Sequence, residues 1–525
     1  MLACKVLLQF LQKNKKPVIF LFFIFVIAIT LRMINFRQSL YFGYDEARDA
    51  YDSQNIYLKG DLKISGPPAS VFKGINHGPM YLYFIGPLFI VGNGNPYFVS
   101  FVFRLLNALL VFIIYLVARL YFGKAAAVFS SILFVFSYEQ YIYAIFTGNP
   151  SLSNLFWPIL FLGAGMVVKF PKKILVGVFF MVLAASFITQ FDLILSYSFI
   201  VLIILFILLR EKLKRISLSR WMKIISLGLI PIYTYPIAEI KNNFLGIKVF
   251  FDVLGGNFST LLPGQTRFSV FWNNFLDLVR NNIVDFGLNN FWIAMILFIL
   301  IFSLIIANQK NKLSIFVVIW FSSLSFLMIT KGFMPFYSYA GVGIGMIVAA
   351  GYILSIIFKR NRFWAVVLLT LILISNVGKI IDQSKKGLVV EIKAQPGMLL
   401  SDELQIIDKT YDHAKENVFT IRTTTMPYKV QTVWSYLYNW HGMNKYGYLP
   451  LLEGGNTLGY PGELPVPQKG TTCFRFLIRE PVRGIPIHLI ENDEKDENFF
   501  SDVSKEEKIG DFILQTRKSK DNNCY

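Results

Sequence analysis

Long apolar runs constrain this chain more than any other feature. About eleven of them recur, over residues 17–35, 98–118, 125–145, 152–168, 174–190, 193–209, 224–240, 287–307, 313–330, 337–357 and 363–381. Each approaches the roughly 20 residues a helix needs to cross the hydrocarbon of a bilayer. A helix satisfies its own backbone there, so the runs predict an all-α polytopic membrane part. Composition agrees, since 55% of the 525 residues are hydrophobic and only 16% are charged. Soluble proteins carry about a quarter charged residues, so a soluble globular chain is disfavoured and a disordered one excluded. The first run follows Lys5, Lys13, Lys15 and Lys16 in the manner of a signal peptide. No small-residue cleavage site succeeds it, so it reads as an uncleaved first span.

The net charge of +19 has two readings, a nucleic-acid partner or a topological bias. Location decides between them. With the N-terminus inside, the cytoplasmic loops are 1–16, 119–124, 169–173, 210–223, 308–312 and 358–362. They hold 20 Lys and Arg against one acid, Glu211, and the remaining 31 basic residues meet 31 acidic ones. The whole excess lies on one side, as cytoplasmic retention of positive charge requires, and no nucleic acid is needed. The expected topology is a multi-pass cell-membrane protein with a cytoplasmic N-terminus.

Three larger pieces then fall outside: the loop 36–97, the segment 241–286 and the polar region 383–525. Residues 1–382 form the expected membrane domain. Residues 383–525 form a small extracytoplasmic α+β domain, helix-like over 401–415 and 431–441 and strand-like over 417–422. Residues 494–510 read as a charged, solvated stretch. Cys473 and Cys524 both lie in this domain, either paired as a disulfide or as two unrelated thiols. No CxxC or Cys/His cluster points to structural zinc.

The first outer loop is the richest in chemistry. It opens Tyr41-Phe42-Gly43-Tyr44-Asp45-Glu46-Ala47-Arg48-Asp49 and continues to His77-Gly78-Pro79-Met80-Tyr81. Residues 80–91 are apolar but too short to span, which suits an element lying in the membrane interface. An acid pair just past a span, followed by a loop returning to the membrane, suits a lipid-linked substrate whose head group meets a carboxylate.

In this order and on this topology, the motifs resemble the GT-C class of polytopic glycosyltransferases. The nearest groups are the protein O-mannosyltransferases and the lipid A aminoarabinose transferases. Asp45-Glu46 is similar to their acidic motif after the first span, and His77-Gly78-Pro79-Met80 to their His/Lys-Pro-Pro-Leu motif. Thr147-Gly148-Asn149-Pro150-Ser151-Leu152, Gln190-Phe191-Asp192, Ala238-Glu239-Ile240-Lys241-Asn242-Asn243-Phe244 and the aromatic segment Trp434–Trp440 resemble later motifs. Gly78 stands where the family has its first proline, Asn149 where some members have a second carboxylate, and Asp192 where the family has a histidine.

The resemblance implies a polyprenyl-phosphate-linked sugar donor, no further cofactor, and inverting transfer to a glycan, lipid or protein acceptor. It implies Asp45 as general base, and a carboxylate can accept a hydroxyl proton during attack on the anomeric carbon. Positive charge at the leaving phosphate is the other need, for which His77, Arg48, Lys73 and Lys331 are candidates. Asn149, Asp192, Glu239 and Tyr337 complete the candidate substrate contacts, and Glu46 the acid pair. Each has a plainer reading. Asp45 and Glu46 suit the N-terminus of a helix. Arg48 and Lys73 suit interfacial cations. Asp192 suits a turn cap, Glu239 a pair with Lys241, and Tyr337, like Tyr339, an interfacial anchor. A metal is not expected, because no second cluster joins Asp45, Glu46 and Asp49.

Two other functions compete. A lipid-linked substrate transporter or flippase needs charged groups deep in several spans, where the sequence shows few. A glycan-binding module would use Trp434, Tyr436, Tyr438 and Trp440 as stacking surfaces, against their plainer use as the core of an amphipathic helix.

Overall fold

A computed structural model describes residues 15–69, 75–214, 216–255, 265–283, 303, 313–329, 335–387, 395–456, 459–467, 471–481, 485–522 and 524. The chain divides into two compact units. One comprises Met1–Ile34, Lys63–Tyr81 and Val102–Asp382; the other comprises Asn35–Leu62, Leu82–Phe101 and Gln383–Tyr525. The loop helix at Tyr44–Leu58 therefore belongs to the same unit as the C-terminal region.

The first unit is helical. Among the described residues six helices are long and apolar enough to cross a membrane: Pro96–Phe122, Asn149–Lys169, Pro171–Phe191, Leu193–Leu213, Val342–Arg360 and Arg362–Gln383. A seventh candidate is the pair Lys124–Phe136 and Tyr138–Ile145, bent by 55°. Three predicted spans take other forms, and a fourth, 287–307, lies outside the described residues apart from 303. Residues 17–35 give the helix Lys15–Arg32. Residues 313–330 give the short helix Ser314–Ser322, which continues as a 3-10 turn. Residues 224–240 break into Leu218–Gly228, a 3-10 turn at Ile230–Tyr233 and Thr234–Lys241. Pro231 sits in that break, where it removes a backbone donor.

Small residues draw these helices together. A Cβ on Gly163 would stand 2.5 Å from the Gly177 carbonyl, and one on Gly177 would stand 2.7 Å from the Gly163 carbonyl. Asn149–Lys169 and Ile174–Phe191 thus touch backbone to backbone, as helices without a hydrophobic drive in lipid do. The bend at Ser137 frees backbone carbonyls, and a buried cation meets them. The Arg32 guanidinium donates to Val135 O at 3.0 Å and to Asn107 Oδ1 at 2.7 Å. Arg104 is equally buried and donates to Arg32 O. Glu139, at the start of the second half of the bent pair, is buried and accepts from the Asn282 amide. These three correct the expectation that the spans hold almost no ionisable groups.

The second unit is built on a five-stranded mixed sheet in the order β2-β1-β3-β5-β4. Its strands are β1 (Phe419–Thr424), β2 (Leu451–Leu452), β3 (Phe474–Arg479), β4 (Ser501–Ile509) and β5 (Phe512–Ser519). β1 lies parallel to β2 and β3, whereas β5 runs antiparallel to β3 and β4. All six β1 residues are buried, and their alternation assigns a helix to each face. Phe419 meets Tyr411 of the helix Leu400–Ala414, with ring centroids 5.1 Å apart. On the other face Arg422 and Thr424 bond Glu497 and Asp493 of the helix Ile487–Phe500, both at 2.9 Å.

The predicted helix over 401–415 and strand over 417–422 are thus present within two residues. The charged stretch 494–510 ends one helix and forms β4, and most of its residues are exposed, as expected of a solvated stretch. Its Glu497 is buried because Arg475 and Arg422 both reach its carboxylate. Cys473, beside β3, is disulfide-bonded to Cys524.

Candidate active site

In the second unit the acidic motif begins a helix. Glu46 is the cap: its Oε2 accepts the Gly43 N–H at 3.0 Å, closing the first turn. Burial pushes its carboxyl up to about 8, and the Asp45 charge acts in the same direction. One turn on, Arg48 lies between two carboxylates. Its Nη1 donates to Asp45 Oδ1 at 2.6 Å, while Nη2 and Nε reach Asp49 Oδ1 at 2.8 and 2.9 Å. The two acids differ in setting: the Asp45 side chain is 63% exposed and that of Asp49 only 7%. Burial pushes the Asp49 carboxyl up to about 7, against the pull of Arg48. Asp45, Arg48 and Asp49 share one helix face because they stand at i, i+3 and i+4. Asp49 follows Asp45 by four residues, and that spacing is the sequence signal for its place on this face.

In the first unit three motifs that are distant in sequence meet. The loop around His77 docks on the C-terminal end of the helix Ile174–Phe191. Gly78 N–H donates to Gln190 O at 3.0 Å, and a Cβ on Gly78 would stand 1.6 Å from Gln190 Oε1. Any larger residue there would have to displace the buried Gln190 amide. Gln190 is fully buried, and its amide donates to Thr234 Oγ1 at 2.7 Å. Asn149 donates to the Phe191 carbonyl, and the Tyr81 hydroxyl to the Thr147 carbonyl at 2.6 Å. Asp192 caps the next turn, with Oδ1 accepting Ile194 N–H at 3.1 Å. His77 Nδ1 lies 3.4 Å from the same Oδ1. Sequence order alone could not show that His77, Asn149, Gln190 and Asp192 form one cluster.

Glu239 Oε2 accepts Ile247 N–H at 3.1 Å and so holds the helix Leu245–Gly255. Tyr337 is half-buried in a 3-10 turn, its ring beside Phe336. Lys73 and Lys331 lie outside the described residues. The aromatic segment is core rather than a sugar-stacking surface. Trp434 and Tyr438 are fully buried, and Trp434 Nε1 donates to Glu480 Oε1 at 3.0 Å. Among the described residues no three His, Cys, Asp or Glu side chains could together hold a metal ion.

No family model matches the sequence, and no curated protein matches it. Solved structures do match. ArnT from Cupriavidus metallidurans bound to undecaprenyl phosphate is similar with a TM-score of 0.60, 94% of this chain and 97% of ArnT being covered at 10% identity. The chain has the GT-C fold. ArnT in its apo state gives a TM-score of 0.59 at 11% identity, covering 96% of this chain and 98% of that one. An oligosaccharyltransferase from Archaeoglobus fulgidus, tethered with an acceptor peptide, gives 0.45 at 10% identity, covering 81% and 63%. The family resemblance read from ordered motifs is therefore matched by a fold likeness along nearly the whole chain.

Proposed function

We propose that this protein is a membrane glycosyltransferase that moves a sugar from a polyprenyl-phosphate carrier to an acceptor hydroxyl, with inversion, on the outer face of the membrane. The observation that carries the reading is the likeness over 94% of the chain to an ArnT structure that holds undecaprenyl phosphate. The acceptor oxygen bonds to the anomeric carbon as the bond from that carbon to the phosphate oxygen breaks. The acceptor proton passes to a carboxylate, and the lipid phosphate leaves as an anion that needs no strong acid. Asp45 is the base of choice. It is exposed, whereas Glu46 is committed to its helix cap and Asp49 is buried against Arg48. His77 and Arg48 are the candidate cations for the phosphate. The N-terminus inside and the C-terminal domain outside follow from the one-sided Lys and Arg excess.

The buried Arg32 and Arg104 do not favour the transporter reading. Both spend guanidinium donors on backbone carbonyls, which is a structural use.

The test is transfer of label from a panel of radiolabelled polyprenyl-phosphate sugars by purified protein in native membrane extract. Wild type should move label from the lipid to a second molecule, and Asp45→Asn should do so at least ~100-fold more slowly, the usual size of a general-base effect. Equal transfer by both removes Asp45 from the mechanism.

A further inference from the structure

Within the second unit, a glycine-rich turn of the C-terminal region sits on the acidic helix. Tyr44, Arg48 and Tyr51 share one face of the helix Tyr44–Leu58, at i, i+4 and i+7. The turn Gly459-Tyr460-Pro461-Gly462-Glu463 meets that face at two points, Tyr460 against Tyr44 and Gly462 against Tyr51. Gly462 has a φ of +103°, and a Cβ there would stand 2.0 Å from Ser435 Oγ and 2.9 Å from Tyr51 Cε2. The positive φ and the close approach both favour glycine. The Gly462 carbonyl accepts from Asn456 Nδ2 at 2.9 Å, and Asn456 Oδ1 accepts the Gln431 N–H at 3.0 Å. The Glu463 carbonyl accepts from Asn439 Nδ2 at 3.1 Å, and the Pro465 carbonyl accepts the Leu452 N–H at 2.7 Å. The turn is therefore anchored through its backbone.

Tyr460 is presented by this turn rather than buried beneath it. Its ring meets Tyr44 in a T-shaped pair, with centroids 5.5 Å apart, and stays 37% exposed. The Arg48 guanidinium lies 5.3 Å from the centroid of the Tyr44 ring, and the same guanidinium bonds Asp45. Tyr44 directly precedes Asp45, so the two rings stand at the helix end that carries the exposed carboxylate. A packing role alone would draw the Tyr460 ring under the turn, because a buried aromatic contributes chiefly through the area it removes from water.

Aromatic surface beside a carboxylate suits a ligand with an apolar face and a polar edge. A pyranose has both, with C–H bonds on a ring face and hydroxyls around its rim. A serine or threonine side chain brings a hydroxyl but no ring face, and a lipid tail brings apolar surface but no hydroxyl rim. We propose that Tyr460, backed by Tyr44, is a specificity-determining residue that stacks on a sugar ring of the acceptor, so that the acceptor is a glycan. A hydroxyl on the rim of that ring meets Asp45. Its oxygen bonds to the donor's anomeric carbon, its proton passes to the carboxylate, and the carrier phosphate leaves with the electrons of the broken bond. The inference rests on the transferase reading above and names the acceptor class that reading leaves open.

The test uses the full-length protein in nanodiscs and has two readouts. The first needs no turnover: saturation-transfer difference NMR with a panel of methyl glycopyranosides, in wild type, Tyr460→Ala and Tyr460→Trp. Wild type and Tyr460→Trp should saturate the ring C–H protons of at least one glycoside, and Tyr460→Ala should do so roughly tenfold less. The second is transfer of label from the polyprenyl-phosphate sugar panel to native membrane extract, with linkage analysis of the product. Label should appear in glycosidic linkage to another sugar. Tyr460→Ala should need roughly tenfold more extract for half-maximal rate, with the donor requirement and the maximal rate as in wild type. Four results overturn the proposal: no ring-proton signal from any glycoside, equal signals in wild type and Tyr460→Ala, a change in the donor requirement instead, or label attached to serine, threonine or a lipid hydroxyl. While label moves, the donor reading stands in each of those cases. If no label leaves any donor, the donor reading fails, and the NMR alone judges the stacking site: a signal lost in Tyr460→Ala and kept in Tyr460→Trp upholds it, and any other pattern overturns it.

Discussion

Replacing Arg48 with methionine should separate the two carboxylates that share it. The Arg48 and Asp49 side chains are 11% and 7% exposed, so this arm is a buried ion pair. Removing one member of such a pair costs roughly 3–5 kcal/mol, because the other charge stays buried without a partner. The arm to Asp45, 63% exposed, belongs to the surface class worth about 1 kcal/mol or less. A double-mutant cycle of Arg48→Met with Asp49→Asn should therefore give a coupling of roughly 2–3 kcal/mol, and the cycle with Asp45→Asn below about 1 kcal/mol. The pH dependence has a definite sign. Asp49 already titrates near 7 in the folded chain, and loss of Arg48 raises it further above its unfolded value. A raised folded value means the variant is most stable at acid pH and loses stability as pH rises through that value. Arg48→Met should thus cost little at pH 5.5 and increasingly more above pH 7, by about 1.4 kcal/mol per further pH unit until the variant's own value is passed. Denaturant unfolding of the detergent-solubilised protein, followed by tryptophan fluorescence, reads both quantities. Equal couplings for the two acids, or a cost that grows toward acid pH, would refute the reasoning.

Three further outcomes can be checked with the same preparation. Glu46→Gln keeps an oxygen for the Gly43 N–H and should retain stability and transfer, whereas Glu46→Ala should cost about 1 kcal/mol in unfolding, the worth of a lost cap. Glu403 is fully buried with neither carboxyl oxygen hydrogen-bonded among the described residues, so burial raises its pKa well above the usual range. Stability should therefore fall as pH rises above about 4.5, the value expected of the unfolded glutamate, and Glu403→Gln should flatten that fall in melts from pH 5 to 8. The Cys473–Cys524 bridge closes a sequence separation of 51 residues, worth about 4 kcal/mol of denatured-state entropy, so Cys524→Ser should lower the melting temperature and remove its sensitivity to reductant.

What the sequence reveals depends on how local each cause is. Apolar length alone located the long helices, because the bilayer requirement acts on each segment separately. The Asp192 cap was legible too, since a cap is set within three residues. Asp49 was half legible: its spacing places it on the Asp45 face, but only burial distinguishes the two acids. Arg32 was not legible, because its role arises from a bend about a hundred residues away at Ser137. Glu497 reads as solvated for the same reason; its partner Arg422 lies 75 residues away. β4, with Ser501-Asp502-Val503-Ser504-Lys505-Glu506-Glu507-Lys508-Ile509, has weak strand propensity and forms as an edge beside β5. The meeting of His77, Asn149 and Asp192 likewise depends on how helices pack, which no local pattern encodes.

The most direct measurement is the release of free polyprenyl phosphate, followed by mass spectrometry, when purified protein is given sugar-loaded carriers and membrane extract as the acceptor source. The account predicts one carrier freed for each sugar transferred, with the product linkage inverted relative to the donor. Donors left intact across a broad panel, by protein shown to be folded, would contradict it.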